Sequence, residues 1–396
     1  MFKFSFNNFS NTISAFNLFN FYNFIFSLPY LFILFCFLTV NFLRCTIHRK
    51  YLISGGIFIL FFGCRGFVGW DWYSYYEIYN QTSDLIIQKY STEPCFGFFM
   101  VGCKIIGLDY HGFVLVSTCF DFILLHLIFK LYLSKYYAWG FFFFIVFSMG
   151  YEIDLMRNIK ALLLFIYSLQ YVYRKKITYF LFYNTIAIGF HSSAILFFPL
   201  YFLLNRDINK RLIGSLFVIG NLLFICHIGI VKLILLPVLT FMGGVYSMML
   251  INYLDSDLFS QPYGLSFGFV ERIVTFFLLY KYASRLEQKS CINRLFINTA
   301  YMYLLLMVYC SDFSIFIDRV AAMFRYFYWI LIPLLLFGKE RISYHKVLIS
   351  FYLLFSISRT IALTDTILYD YDNILTGMRT FYDRKNTWEH FYINNY

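Results

Sequence analysis

Long apolar runs separated by short polar segments extend along almost the whole chain. They lie near residues 28–43, 51–64, 112–129, 137–150, 157–173, 177–204, 212–226, 265–280, 295–311, 313–337 and 347–363. A helix of about 20 apolar residues crosses a hydrocarbon layer of ~30 Å. The pattern therefore predicts an all-α polytopic integral membrane protein with about twelve transmembrane crossings.

Three apolar segments do not fit a simple crossing. The run 177–204 has a glycine, a histidine and two serines at its middle, around His191, which predicts two half-helices that meet at a break. Segments 95–107 and 228–250 contain glycines, and counting them as crossings would disturb the alternation of charged loops. We therefore expect re-entrant or interfacial helices there, on the outer side of the membrane.

The composition excludes most soluble classes of protein. Hydrophobic residues make up 61% of the 396 residues and charged residues 13%, whereas a soluble domain has about 45–50% and about 25%. Secreted soluble enzymes, DNA-binding domains and disordered chains are excluded. The net charge of +11 does not indicate nucleic acid, because no basic stripe is present. The nine cysteines show no spacing suited to zinc.

The placement of the basic residues predicts the orientation. Loops rich in Lys and Arg occur at 44–50, 130–135, 174–176, 205–211, 281–294 and 338–346, and together they hold 18 of the 32 basic residues but only three acidic ones. Such loops face the cytoplasm, so both termini and the loops 64–95 and 252–264 face outward. No linker or repeat divides the chain, which predicts a single membrane domain over 1–396, with a helical bundle at 28–363 and an outer tail at 364–396.

The first candidate site follows the second apolar run, where glycines surround Arg65 and aromatic residues surround Asp71. The planar guanidinium of Arg65 offers five donors suited to phosphate oxygens. Trp70, Trp72 and nearby tyrosines beside one carboxylate are typical of a sugar-binding surface. The alternative is an interfacial aromatic belt in which Arg65 reaches the lipid headgroups.

The second candidate site opens the run at 157–173. Asp154 is predicted to be the N-cap of this helix. Arg157 lies in the first turn, where a positive charge opposes the helix dipole. A bound anion would offset this repulsion and is itself attracted to a helix N-terminus, so Arg157 is a candidate anion-binding residue.

The third candidate is His191, at the predicted break. A lone histidine in an apolar run is commonly a hydrogen-bonded core residue. At a helix break, however, unpaired backbone groups and polar side chains can bind a ligand. Histidine also exchanges a proton near neutral pH.

The fourth candidate lies in the run 313–337. The run is expected to be one continuous α-helix, in which Arg325 lies about 9 Å along the axis from Arg319. Asp318 and Arg325 then share a helix face, because they are seven positions apart. A structural ion pair is one interpretation, and a second anion clamp made by the two arginines is the other.

In this order the four sites resemble the Wzy-type O-antigen and exopolysaccharide polymerases, in particular their EpsG-like branch. That family has an Arg-Gly stretch with a following Val-Gly, Asp and Tyr after its second helix, an Arg-Gln pair that opens a later helix, a His-Ser break, and a late arginine-rich helix ahead of a proline. The matching residues are Arg65 to Tyr75, Arg157 with Asn158, His191 to Ala194, and Arg319, Arg325 and Pro333. Asn158 departs from the family's glutamine but keeps an amide.

The resemblance implies a polymerase that acts in lipopolysaccharide or capsule synthesis at the periplasmic face of a bacterial inner membrane. The growing glycan would leave undecaprenyl diphosphate and join a new lipid-linked repeat unit. Membrane lipid, a chain-length regulator and a flippase are the implied partners, with no nucleic acid. The resemblance implies no metal, nucleotide sugar or other cofactor.

The chemistry of such a reaction requires two kinds of residue. The leaving diphosphate needs cations, for which the candidates are Arg65, Arg157, Arg319 and Arg325, while Trp70, Trp72 and Tyr75 would contact the substrate. The acceptor hydroxyl needs a general base, for which the candidates are His191, Asp71 and Glu152. The alternative functions are a lipid-linked oligosaccharide flippase or transporter, and an O-antigen ligase.

Overall fold

The computed structural model describes residues 21–395 except 245–246, 249–250, 253, 255–263 and 339–343. The predicted outer loop 252–264 and the predicted cytoplasmic loop 338–346 therefore lie largely outside the described residues. The described part of the chain contains no β-strand, and its isolated β-bridges join Asn373 to Arg65 and to Gly377.

The described residues up to Asn205 and from Tyr328 onward form one compact unit, and Arg206–Phe327 form another. The first unit begins with α1 (Phe21–Phe42), α2 (Ile47–Phe58) with a π-helical turn at Ile59–Gly63, α3 (Trp72–Tyr79), α4 (Ser83–Lys89), α5 (Pro94–Ile105), α6 (Tyr110–Tyr132), α7 (Tyr137–Ile153), α8 (Met156–Tyr173), α9 (Ile177–Phe190) and α10 (Leu200–Leu203). The second contains α11 (Lys210–Ile225), α12 (Ile230–Met242), α13 (Phe267–Lys289), α14 (Asn293–Tyr309) and α15 (Ser314–Arg319). The chain returns to the first unit in α16 (Phe327–Leu336), α17 (His345–Thr364) and α18 (Phe381–Asn395).

Helix α7 is the centre of the first unit. All of its residues except Gly150 are buried, and α1, α2, α6, α8 and α17 pack against it. A helix that is apolar on every face is typical of a protein core or of a membrane span. Aromatic contacts fix its neighbours: the Phe147 ring stacks on Tyr328 at 3.7 Å, and Trp329 Nε1 donates to Ser148 Oγ at 3.0 Å.

The all-α class is confirmed, and the apolar helices are those of a membrane protein. Within the described residues, the segments long and apolar enough to cross a membrane are Asn23–Phe42, Tyr110–Tyr132, Phe316–Leu336 and His345–Thr364. The bent pair α11 and α12 would add a fifth. The figure of about twelve crossings and the single-domain organisation stay predictions.

The predicted break in 177–204 is confirmed. Helix α9 ends at Phe190, His191 is extended with φ −155° and ψ 126°, and a 3-10 helix follows at Ser192–Phe197. In the segment 228–250, α12 is bent by 84° from α11, the geometry of a broken span or a re-entrant loop. Helix α5, in the segment 95–107, is too short to cross at 1.5 Å per residue.

The prediction of one continuous helix over 313–337 is wrong. Helix α15 ends at Arg319, and a 3-10 helix occupies Ala321–Tyr326 before α16 begins. A 3-10 helix has 3.0 residues per turn, so a seven-residue spacing no longer places Asp318 and Arg325 on one face. The hydroxyls of Tyr326 and Thr299 lie 2.7 Å apart and join the 3-10 segment to α14.

Candidate functional site

Glu93 is the centre of a buried cluster that joins the second and third predicted sites. It directly precedes Pro94, the first residue of α5, and is 4% exposed. Its Oε2 forms an ion pair with Nη1 of Arg157. Its Oε1 lies 2.6 Å from Nδ1 of His191. One carboxylate thus holds the start of α8 beside the break that follows α9.

The break after α9 supplies most of the donors around Glu93. The backbone N–H of Ser192 donates to Oε1 at 3.1 Å, and its hydroxyl donates at 3.3 Å. Burial opposes ionisation of Glu93, but the hydrogen bonds from His191 and Ser192 and the charge of Arg157 lower its pKa to about 2. Glu93 is therefore an ionised acceptor across the physiological pH range.

Arg157 keeps part of its guanidinium available. Its Nε donates to the Tyr75 hydroxyl at 3.5 Å, and its guanidinium carbon lies 5.4 Å from the Tyr90 ring. The side chain is 32% exposed, and Nη2 has no hydrogen-bond partner within the described residues. An arginine edge in the first turn of α8 can bind an anion.

His191 presents its second ring nitrogen away from Glu93. An ionised carboxylate only accepts hydrogen bonds, so in the neutral form of the imidazole Nδ1 carries the proton and Nε2 holds the lone pair. The His191 side chain is 19% exposed, and in the described part of the chain its ring nitrogens have no hydrogen-bond partner other than Glu93. The arrangement can accept a proton at Nε2.

Arg65 is buried, and its guanidinium donates hydrogen bonds to backbone carbonyls. Its Nη1 donates to the carbonyl of Phe62, and Nη2 donates to the carbonyls of Glu152 and Ile153 at 3.1 and 3.4 Å. These are carbonyls at the ends of the π-helical turn and of α7, which need partners. The contacts give Arg65 a structural role, and its binding of diphosphate stays a prediction.

Trp70 and Trp72 contact the C-terminal segment, which the sequence did not indicate. Trp72 and Tyr75 are buried. The Trp70 ring lies 5.4 Å from Phe391, and Trp388 Nε1 donates to the Trp70 carbonyl at 3.1 Å. Asp71 precedes α3 as its N-cap without a side-chain capping bond. Contact of Trp70, Trp72 and Tyr75 with substrate, and a catalytic role for Asp71, stay predictions.

Backbone pairing fixes the loop 64–70 against the C-terminal segment. Gly66 N donates to the Asp372 carbonyl at 3.0 Å, Gly69 N donates to the Leu368 carbonyl at 2.9 Å, and Ile374 N donates to the Cys64 carbonyl at 2.9 Å. Arg384 is buried in α18, with Nη2 3.3 Å from Asp372 Oδ2 and a hydrogen bond to the Asp370 carbonyl.

The prediction that Asp154 is an N-cap is wrong. Leu155 holds the N-cap position of α8. Asp154 Oδ1 instead accepts from Trp70 N at 2.6 Å, and Oδ2 accepts from the Tyr369 hydroxyl at 2.5 Å. These two donors come from distant parts of the chain and hold the carboxylate against the loop 64–70 and the C-terminal segment.

A second buried set of charges lies in the core of the first unit. Lys160 Nζ lies 2.6 Å from both Asp121 Oδ2 and Ser117 Oγ. Glu152 is buried, and its Oε2 has no hydrogen-bond partner among the described residues. Its use as a general base stays a prediction.

Arg319 and Arg325 belong to the second unit. Arg319 is exposed at the end of α15, and Arg325 is half-buried in the following 3-10 helix. Their part in anion binding stays a prediction.

Sequence reasoning missed Glu93, Lys160 and Asp121. The one local signal for Glu93 is an acid directly before a proline that opens an apolar helix, which by itself indicates an N-terminal cap. No group of three or more His, Cys, Asp or Glu side chains within the described residues is arranged to hold a metal ion.

These observations define a class: a helical membrane protein with an arginine, a histidine and a shared carboxylate at helix ends. The model of the EpsG family matches residues 48–373, and the chain belongs to that family. The predicted resemblance is confirmed, and membership indicates a polysaccharide polymerase-like, glycosyltransferase-like role in a membrane-embedded protein. No curated protein and no solved structure matches the chain.

Proposed function

We propose that this protein elongates a polysaccharide by moving the growing glycan from undecaprenyl diphosphate onto a new lipid-linked repeat unit. The observation that carries the proposal is the meeting of Arg157 and His191 at Glu93. It brings an anion-binding group and a proton acceptor to one partly exposed place, and glycosyl transfer from a diphosphate needs both.

Arg157 supports the donor side of the reaction. The bond between the anomeric carbon and the diphosphate oxygen breaks, and negative charge develops on that oxygen. The exposed edge of Arg157, together with the N-terminus of α8, would stabilise this charge. Arg65, Arg319 and Arg325 are further candidates for binding the diphosphate. Each would have to contact it when the substrate binds.

His191 supports the acceptor side. A hydroxyl of the incoming repeat unit forms the new glycosidic bond, and its proton passes to Nε2 of His191. The proton later returns to solvent or to the released lipid diphosphate, so the transfer consumes no other reactant. Glu93 is a poor base because both of its oxygens are engaged. Asp71 and Glu152 remain the alternative bases.

The proposed place of this reaction is the periplasmic face of a bacterial inner membrane. Glu93 and Tyr75 lie in the acidic, aromatic loop 64–95, whereas the basic loops lie elsewhere in the sequence. An outward loop fits a lipid-linked substrate that has already crossed the membrane.

The test uses purified protein in vesicles supplied with a lipid-linked repeat unit and a lipid A core, and with no nucleotide sugar. A ladder of products separated by one repeat supports the polymerase. Movement of unmodified units across the bilayer would indicate a flippase, and transfer to a lipid A core without a ladder would indicate a ligase. Either result would overturn the proposal.

Variants assign the residues in the same assay, with activity normalised to folded protein. His191→Ala should lower the rate by about 10²–10⁴, the usual contribution of a general base, with binding of the donor retained. His48→Ala, at an exposed histidine, is the control and should retain activity. Normal activity of His191→Ala would transfer the role to Asp71 or Glu152, which Asp71→Asn and Glu152→Gln then distinguish.

A further inference from the structure

We infer that Glu93 is a positioning residue, which holds His191 in the tautomer whose Nε2 can accept the acceptor's proton and restrains Arg157 beside it. The inference rests on the proposed function, because that function requires a base and an anion-binding group. Neither the sequence motifs nor family membership assigns a role to Glu93.

The tautomer follows from the hydrogen bonding. Neutral imidazole carries one proton, and an acceptor 2.6 Å from Nδ1 places that proton on Nδ1. Without the carboxylate, the proton would distribute over both ring nitrogens, and a share of the molecules would present an N–H to the acceptor hydroxyl. Such molecules cannot take its proton.

The orientation follows from the anchoring of Glu93. Oε1 accepts from the His191 ring and from the Ser192 backbone and hydroxyl, while Oε2 pairs with Arg157. These donors come from the break after α9 and from the first turn of α8. A carboxylate held from both directions, with 4% of its surface exposed, has little freedom to rotate. The imidazole is fixed in turn.

The pair with Arg157 gives a second, separable consequence. Glu93 occupies Nη1 of Arg157 and therefore competes with a bound anion for this guanidinium. Replacing Glu93 with glutamine removes the competing charge and leaves Arg157 in place. The variant should therefore lose rate without losing affinity for the donor, whereas a folding defect would lower both.

Kinetics give the first test. Glu93→Gln should lower kcat by about 10²–10⁴, with a donor KM that is unchanged or lower. Glu93→Asp, which keeps the charge on a shorter side chain, should recover part of the lost rate. Glu77→Gln, at an exposed glutamate in α3, is the matched control and should behave as wild type. Wild-type kcat in Glu93→Gln would overturn the inference.

Histidine-selective ¹⁵N NMR gives a second test that requires no enzymatic activity. The His191 resonances, assigned by their loss in His191→Ala, should show Nδ1 protonated and Nε2 unprotonated in the unmodified protein. Glu93→Gln should shift them toward a mixture. A proton on Nε2 in the unmodified protein would overturn the inference even if the variants do not fold. If the spectrum agrees but vesicles give no ladder, the proposed function fails and the positioning of His191 stands.

Discussion

Gly69 and Asp154 approach each other so closely that no side chain fits between them. A β-carbon at position 69 would lie 2.1 Å from Asp154 Oδ1, the same oxygen that accepts from Trp70 N. Gly69 also has φ +95°, a conformation that side chains strongly disfavour. The glycine therefore allows the loop after Arg65 to place its backbone N–H on the carboxylate that ends α7.

Gly69→Ala should destabilise the fold and abolish polymer formation. The positive φ alone costs about 1–3 kcal/mol, and the contact with Asp154 adds to it, because a carboxylate bonded on both oxygens cannot move away. Thermal unfolding in detergent measures the effect. Gly56→Ala is the control, since a β-carbon there meets nothing within 4 Å. Equal melting temperatures for the two variants would contradict the argument.

Asp154 should make stability depend on pH. Burial raises its pKa to about 7, although bonds from Tyr369 and Trp70 act in the opposite direction. An unfolded aspartate has a pKa of about 3.9, so between these values the folded protein binds more protons than the unfolded chain. Its contribution to stability is therefore complete below about pH 4 and is lost as the pH rises to about 7.

The measurement is the melting temperature from pH 5 to pH 8, a window above the range in which Glu93 titrates. Asp154→Asn should flatten the decline seen in the unmodified protein. Asp84→Asn, at an exposed position in α4, should leave the decline unchanged. A profile in Asp154→Asn as steep as the original would show that another group causes it.

Arg157→Lys should lose polymerisation although the positive charge remains. Lysine is a point charge and cannot contact Glu93, Tyr75 and a phosphate oxygen from one planar group. Chain-length profiles at matched protein levels give the readout. Arg211→Lys, in the first turn of α11 and exposed, is the control. Full-length polymer from Arg157→Lys would show that the guanidinium of Arg157 is not needed to bind the diphosphate and that the residue only anchors the helix at the membrane interface.

Arg384→Met should release the C-terminal helix. Removing one member of a buried ion pair costs about 3–5 kcal/mol, because the remaining charge has no partner, and here Asp372 would lose its arginine. Limited proteolysis should then cut within α18 at protease concentrations that leave the original protein intact. Lys385→Met, at the neighbouring and more exposed side chain, should resist cleavage. Similar cleavage of both variants would contradict the role of Arg384.

The orientation predicts opposite labelling of two engineered cysteines. In a background with the exposed Cys226 and Cys291 replaced by serine, Asn80→Cys should react with an impermeant thiol reagent added to intact cells. Arg285→Cys should react only after the membrane is opened. Labelling of position 285 from outside would reverse the topology and move the Glu93 cluster to the cytoplasmic side.

Local patterns in the sequence predicted the features that depend on neighbouring residues. The break at His191 followed from a glycine and two serines inside an apolar run. The same local reasoning failed at 313–337, because no glycine or proline marks the change to a 3-10 helix at Ala321–Tyr326. In this 3-10 helix the Tyr326 hydroxyl contacts the hydroxyl of Thr299 in α14. The pattern of apolar residues gives no sign of that contact.

Features that depend on distant partners could not be predicted from a single sequence. The partners of Glu93 are 64 and 98 positions away along the chain, and nothing beside Glu93 indicates them. Arg65 has the residue type of a phosphate-binding fork. Only the folded chain shows that carbonyls of Phe62, Glu152 and Ile153 receive its donors. The residue type shows that Arg65 can donate several hydrogen bonds, but only the tertiary structure shows which acceptors receive them.

The pairing of the loop 64–70 with the C-terminal segment has a consequence for biosynthesis. The loop leaves the ribosome long before Leu368, Asp372 and Ile374, which bond to it. Membrane insertion of the earlier helices therefore cannot complete this loop. A chain that ends early, for example through a premature stop codon after α17, would insert its helices yet leave this loop without its partners, so the loop 64–70 completes its folded structure only after residue 374 has been translated.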